Sequence, residues 1–370
     1  MALLWTDGFD ISDTTLLLQK YAILGSRQFP SWVPGRLGGQ ALQITHAGNI
    51  VFKESLLTRY KLQPATPEAV CGAAFSIRGN AGEWDLFQFY LGSAFQGALV
   101  ATIQADTNYV KFRVVDANRN TLETETADFP SANFAFFPAA AWYYIEFKYL
   151  FDVAVGAFEV RINGVPEIVS SIGYNTDPNA VGAFDRVGCA SPVAGSGPGT
   201  EVYLDDLYIL DTTPGLLDDF LGVDDGGVEV NMLKTNAAGA LQQWDDVEGY
   251  SGGAAREMRL QSLANAEGIV IEGGVAEREL YEFDNLPTIN QQVLGVQLGF
   301  SGFRHQAESP VQVRGIYRQP SDGQIGTGTS VALGAYKEMY RKVTFASNPV
   351  DATLFDLTEI NDGQFGLEVA

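Results

Sequence analysis

An all-β fold in two parts is what this sequence predicts, and three observations carry the expectation. Forty glycines and 15 prolines are spread along all 370 residues, the punctuation of many short strands joined by tight turns. Apolar and aromatic residues recur at every second position in several runs, the period of a half-buried strand. Helical periodicity is scarce: only Leu16 to Ala22 and Gly334 to Arg341 read as a helical turn or two.

The elements follow in order. Lys111-Phe112-Arg113-Val114 alternates, and so does Tyr143-Tyr144-Ile145-Glu146-Phe147-Lys148-Tyr149, although the faces of Trp142, Tyr144 and Phe147 conflict along that run. Phe158 to Ile162 alternates and meets Asn163-Gly164, the strongest short hairpin signal, because both central residues of a type I′ turn need positive φ. Val165 to Val169 is then the return strand. Glu201 to Leu204 and Leu207 to Leu210 form one long strand with Asp205 and Asp206 in its middle. The polar stretch Asp211-Thr212-Thr213-Pro214-Gly215 marks a boundary, dividing the chain into residues 1–212 and 213–370. The first part suits one large two-sheet sandwich. The second is β-rich, with strands expected over Val228 to Leu233, Val293 to Phe300 and Val311 to Tyr317.

Composition removes several function classes. Hydrophobic residues make up 46% and charged residues 18%, a globular balance rather than a disordered one. The formal charge of −22 argues against non-specific binding to nucleic acid or an anionic membrane. Two cysteines, Cys71 and Cys189, supply neither a disulfide framework nor a thiolate zinc cluster, and both sit among small apolar neighbours. Two distant histidines, His46 and His305, make a histidine-based metal centre improbable. The N-terminal residues lack a basic region, and the longest apolar stretch, Phe134 to Trp142, carries Pro138; neither an export signal nor a membrane helix is expected.

Several segments, in order, resemble one family. Asp7-Gly8-Phe9-Asp10 is followed by Tyr21 and by Gly35-Arg36-Leu37-Gly38-Gly39-Gln40-Ala41-Leu42. Next come Trp142 to Lys148, Glu159 to Val165, Val202 to Asp211 and Asp219-Phe220-Leu221-Gly222. Together they resemble a family of tailed-bacteriophage virion proteins in which a concanavalin-like (laminin-G-like) jelly roll precedes a second β-rich domain. The resemblance is thinner beyond residue 222, resting on Leu241-Gln242-Gln243-Trp244 and on Leu354 to Gly366. It implies a non-enzymatic structural component of the tail or baseplate, made in the host cytoplasm, homo-oligomeric and packed against other virion proteins.

Three constellations are candidates for chemistry. Glu83-Trp84-Asp85-Leu86-Phe87-Gln88 is similar to the three-acid strand of laminarinase-like glycosidases, which share the jelly roll. Here Gln88 stands at the third position and cannot exchange a proton, and simple alternation would put it on the wrong face without a bulge. The structural reading sends Trp84, Leu86 and Phe89 into the core and leaves Glu83 and Asp85 solvated, with no catalytic residue. Related jelly-roll glycan-binding modules suggest a structural calcium, with Asp7, Asp10, Asp205 and Asp206 as ligands; the other reading makes Asp205 and Asp206 one buried cap and one exposed acid, and no cofactor is required. Glycan binding to a host surface is the alternative function, with Trp32, Trp84 and Tyr109, and secondarily Phe136 and Phe137, as stacking rings.

Overall fold

The structure is a computed structural model that describes residues 3–9, 21–24, 31–45, 54–58, 66–78, 82–103, 109–122, 137–138, 141–170, 173–190, 201–211, 219–222, 228–231, 233, 235–246, 269–270, 276–286, 292–302, 312–333 and 339–370. It is nearly all β, as the alternation predicts, and divides into two units, Met1–Val230 and Asn231–Ala370. Among the described residues no helix is long and apolar enough to cross a membrane.

The strands of the first unit are β1 (Leu3–Asp7), β2 (Tyr21–Leu24), β3 (Ser31–Pro34), β4 (Gln40–Thr45), β5 (Glu54–Thr58), β6 (Glu68–Arg78), β7 (Gly82–Leu91), β8 (Ala94–Ile103), β9 (Tyr109–Asp116), β10 (Phe137–Pro138), β11 (Trp142–Leu150), β12 (Ala157–Ile162), β13 (Val165–Val169), β14 (Arg186–Ala190) and β15 (Glu201–Asp211). Eight of them form one antiparallel sheet in the order β13-β12-β11-β6-β15-β4-β3, with β1 pairing β15. Five form the other, in the order β10-β9-β8-β7-β14. This is the two-sheet sandwich of the jelly-roll type. Tyr21 and Ala22 belong to β2, so the helical turn expected from Leu16 ends in strand; residues 16–20 lie outside the described residues.

Aromatic rings fill the space between the sheets. Phe75 of β6 meets Phe87 of β7 edge-on at 5.3 Å, and Phe89 lies 5.6 Å from both Phe147 and Tyr149 of β11. The conflicting faces of β11 are thereby resolved. Phe147 and Tyr149 point inward, and Tyr144 and Glu146 point outward yet are buried as well. Asn163 and Gly164 take φ values of 50° and 80°, the positive pair that the hairpin between β12 and β13 demands.

The unit runs past the boundary expected at residue 212 because the chain after β15 is tied back to the eight-stranded sheet. Leu221 N–H donates to Tyr208 Oη at 3.2 Å and Gly222 N–H to Glu146 Oε1 at 2.7 Å. Val230 N–H donates to Asp206 Oδ1 at 2.8 Å. Two close approaches make this possible. Gly72 faces the Tyr208 ring, which a Cβ would strike at 2.2 Å, and a Cβ on Gly222 would stand 2.7 Å from Glu146 Oε2.

The second unit contains β16 (Thr235–Gln242), β17 (Asp245–Asp246), β18 (Ile269–Val270), β19 (Arg278–Phe283), β20 (Val296–Gly302), β21 (Gln312–Arg318), β22 (Ile325–Ala332), β23 (Met339–Phe345), a short helix α1 (Leu357–Asn361) and β24 (Gln364–Val369). Five strands form a sheet in the order β16-β19-β24-β21-β22, and β20 pairs β23. Met339 to Arg341 are strand rather than the helical turn expected there. Tyr317, Val343, Phe345, Phe355, Ile360 and Phe365 make the core. The helix was not foreseen, although its cap is written locally: Asp356 Oδ1 accepts the Glu359 N–H at 2.7 Å and Glu359 Oε2 accepts the Asp356 N–H at 3.0 Å, a capping box. On the central strand Glu368 is fully buried between Arg278 and Arg314, its register partners on either side.

Candidate functional site

Two acids and two arginines of the first unit meet on the outer face of the five-stranded sheet. Alternation sends Trp84 into the core and leaves Glu83 and Asp85 on the other side. A register break between Asp85 and Phe87 on the β8 side then returns Gln88 to the face of Asp85. The bulge that the three-residue motif requires is therefore present. Gln88 Nε2 donates to Asp85 Oδ2 at 2.5 Å, and Tyr90 Oη donates to Gln88 Oε1 at 3.2 Å.

Strand β8 runs beneath with small side chains. Asp85 lies opposite Val100, and Val100 opposite Arg113 of β9; Glu83 lies opposite Thr102, and Thr102 opposite Lys111. Because β8 offers nothing larger than valine there, the long side chains of β7 and β9 meet above it. Arg113 Nη2 donates to both carboxylate oxygens of Glu83 at 3.0 Å, and its Nη1 donates to Thr121 Oγ1 at 3.2 Å. Arg119 donates through Nη1 and Nη2 to the two oxygens of Asp85 at 3.2 and 2.7 Å, with its guanidinium 4.4 Å from the Phe95 ring centre. Below these pairs, Ala98, Val100 and Val115 form a small buried cluster of their own, with Phe95 against it.

Arg119 is delivered by a turn built on one carboxylate. Asp116 Oδ1 accepts the N–H groups of Asn118 and Asn120, both at 2.8 Å, and its Oδ2 accepts from Asn120 Nδ2 at 3.2 Å. Within it Arg119 takes φ +63°, the left-handed region an arginine seldom occupies. Strain of this kind persists where the surroundings over-determine it, and here both the Asp116 turn and the Asp85 pair do so.

Asp85 corrects one expectation. It is not solvated: its exposure is 0%. Burial raises its pKa, while Arg119 and Gln88 pull it back down and Glu83 adds to the rise. Trp84 is also 0% exposed, so its ring is core and no stacking platform. Trp32 lies half-buried on β3, an edge strand. Tyr109 opens β9, paired with Pro138, and Phe137 lies in β10; Phe136 lies outside the described residues.

The expected calcium ligands meet other partners. Asp7 Oδ1 accepts the Phe9 N–H at 3.0 Å, and Asp7 pairs Leu207 in the β1–β15 register. Asp205 Oδ2 accepts the Arg36 N–H at 2.9 Å, and Asp206 holds the Arg36 guanidinium at 3.1 Å. Arg36 also donates to the Val228 carbonyl at 2.8 Å and lies 5.0 Å from the Tyr144 ring centre. Both Asp205 and Asp206 are buried, so neither is the exposed acid of the second reading. Asp10 lies outside the described residues. Among the described residues no group of three or more His, Cys, Asp or Glu is arranged to hold a metal ion. Cys71 and Cys189 are buried free thiols, their pKa values pushed up by burial.

No protein-family model matches the chain, and no curated protein does. Among solved structures it is similar to "Cellulose induced protein, Cip1", at 17% identity over 57% of this chain and 99% of that one, with a TM-score of 0.40. It is similar to a GH131 β-glucanase catalytic domain from Podospora anserina, at 14% identity over 58% and 98%, TM-score 0.38. It is similar, too, to the CBM2 module of the evolved Dit of Lactobacillus casei BL23 phage J-1, at 11% identity over 56% and 94%, TM-score 0.34. At these scores they say nothing of what this chain does.

Proposed function

We propose that the first unit is a carbohydrate-binding module without hydrolytic activity, carried by a structural protein of a tailed-phage virion. The observation that supports it most is the chemistry of the outer face of the five-stranded sheet. A retaining hydrolase needs one carboxylate free to attack and another free to exchange a proton. Here Glu83 and Asp85 are each held by a guanidinium through two hydrogen bonds, and the third position is an amide. What the face presents to solvent instead is the Glu83 carboxylate and the guanidinium groups of Arg113 and Arg119, charged hydrogen-bonding groups of the kind that read saccharide hydroxyls. Titration of the full chain with a panel of oligosaccharides, with product analysis alongside, tests both halves. Saturable binding without cleavage is expected. Cleavage that Glu83→Ala abolishes would overturn the non-catalytic half, and binding to no saccharide would remove the other.

A second reading, packing against copies or other virion proteins, is favoured by a separate observation. Val153, Val155, Val165, Val169 and Val181 are large apolar side chains in solvent. Three of them stand on fixed turns. Asp152 Oδ1 accepts the Ala154 and Val155 N–H groups, and the Asp177 carboxylate accepts those of Val181 and Gly182. Val165 and Val169 lie on β13, at one end of the eight-stranded sheet. Exposed apolar side chains mark a contact surface where they form a patch. Light scattering would show a defined oligomer that Val153→Ser and Val169→Ser weaken; a monomer at every concentration would leave the geometry to other virion proteins.

A further inference from the structure

We infer that this face takes an acidic saccharide, one that bears a carboxylate, and that Arg113 binds it by exchanging Glu83 for the ligand. The inference rests on the carbohydrate-binding reading above and names the ligand class for the same face.

The two ion pairs differ in what they can give up. Asp85 is fully enclosed; removing Arg119 from it would leave a buried charge alone, which is strongly unfavourable. Arg119 therefore stays. Glu83 and Arg113 keep 37% and 31% of their side-chain surface in water, and such exposed pairs are held weakly. When Arg113 turns to a new carboxylate, Glu83 is already solvated and leaves little behind. Thr121 still holds Arg113 Nη1, so the guanidinium keeps its place during the exchange.

The incoming group is specified by Arg113 itself. A guanidinium presents planar, charged donors that match a carboxylate, and both oxygens of Glu83 now bond to one of them, Nη2. A neutral hydroxyl could not replace the charge that departs. In a chain of net charge −22 a general attraction for anions is absent, so an acidic ligand needs a specific cation. Lys111 lies two residues before Arg113 on the same face by alternation, opposite Thr102.

The test is titration of the full chain with a hexuronic-acid tetramer, the neutral hexose tetramer of the same linkage and a sulfated tetramer, using wild type, Glu83→Gln, Arg113→Lys and Arg113→Gln. Thermal unfolding of each variant checks that it folds, and Glu83→Gln and Arg113→Lys retain most of the local packing. The uronate should bind wild type about tenfold or more tightly than the neutral tetramer, a difference near 1.4 kcal/mol. Glu83→Gln should tighten the uronate several-fold, since the internal competitor is weakened, and leave the neutral tetramer unmoved. Arg113→Lys should weaken the uronate, and Arg113→Gln should abolish its preference. A purely structural ion pair would not produce tighter binding in Glu83→Gln; unchanged or weaker uronate binding there overturns the inference. Equal binding of neutral and uronate tetramers also overturns it while the carbohydrate reading stands. Equal binding of the sulfated tetramer would replace carboxylate recognition by generic anion binding. Binding of no tetramer removes both.

Discussion

The first unit fully encloses a carboxylate on the outer face of each sheet, Asp85 on the five-stranded one and Glu146 on the eight-stranded one, and the two are handled in opposite ways. Asp85 meets a guanidinium through both oxygens. Among the described residues Glu146 meets no cation directly. Its Oε1 accepts from the Tyr208 hydroxyl and the Gly222 N–H, and its buried Oε2 has no hydrogen-bond partner among them. A buried ion held by a solvent-facing arginine keeps its charge available to the surface. A buried acid held by a phenol and an amide serves better without its charge, as an anchor for the chain after β15. One acid is matched by a cation, and the other holds a strap of the protein's own chain.

Removing the arginine is the harshest way to break this comparison. Arg119→Ala strips Asp85 of its only guanidinium among the described contacts and should cost about 3–5 kcal/mol, the usual penalty for half of a buried pair. Urea unfolding would read it. A loss under about 1 kcal/mol would mean that water reaches Asp85 freely and that the contrast with Glu146 is false.

The strap comes next in size. Gly222→Ala would drive a methyl against Glu146 Oε2, at 2.7 Å before any relaxation, and overpacking of this kind costs about 1–3 kcal/mol. Limited proteolysis after Gly222 should accelerate in parallel with the loss of stability. If the variant unfolds as wild type does and is cut no faster, the strap is not held where Glu146 holds it.

Much of the contrast was not legible in the sequence, and the reasons are particular. The Asn163-Gly164 hairpin and the alternation of β11 are local signals, and they hold. The burial of Asp85 depends on Arg119, which reaches it from a turn thirty-four residues further on. Nothing near Glu83-Trp84-Asp85 announces it, although the acid- and amide-rich run Asp116-Ala117-Asn118-Arg119-Asn120 marks the turn that carries it. Gln88 shares the face of Asp85 only because of a bulge, and one inserted residue reverses every later side chain of a strand. Glu146 looks like an ordinary outward acid of an alternating strand. Its enclosure is made by Gly72 and Tyr208, brought beside it by pairing across three strands, and by Gly222 from the chain after β15. Arg36 reaches Asp206 from a glycine-rich loop far along the chain, and nothing beside Asp205-Asp206 announces it.

The finest test replaces each acid by its amide. Burial raises the pKa of both carboxyls, and at Glu146 Tyr208, Gly222 and, more distantly, Arg161 offset it. A carboxyl whose pKa is raised on folding binds its proton more tightly in the folded state. Its contribution to stability is therefore fully present below the ordinary carboxylate range and is lost as pH rises through the raised value. Glu146→Gln keeps an oxygen for Tyr208 and Gly222 and cannot ionise, so it should match wild type in acid and become the more stable protein as pH rises past that window. Asp85→Asn, by contrast, cannot satisfy both donors of Arg119 and should lose about 1.5–3 kcal/mol, the range for a hydrogen bond to a charged group, at neutral pH. Denaturant midpoints from pH 4 to 8 would show the two amides departing from wild type in opposite directions. If both amides destabilise at neutral pH, Glu146 carries its charge in the folded protein, and the anchor is as ionic as the pair on the other sheet.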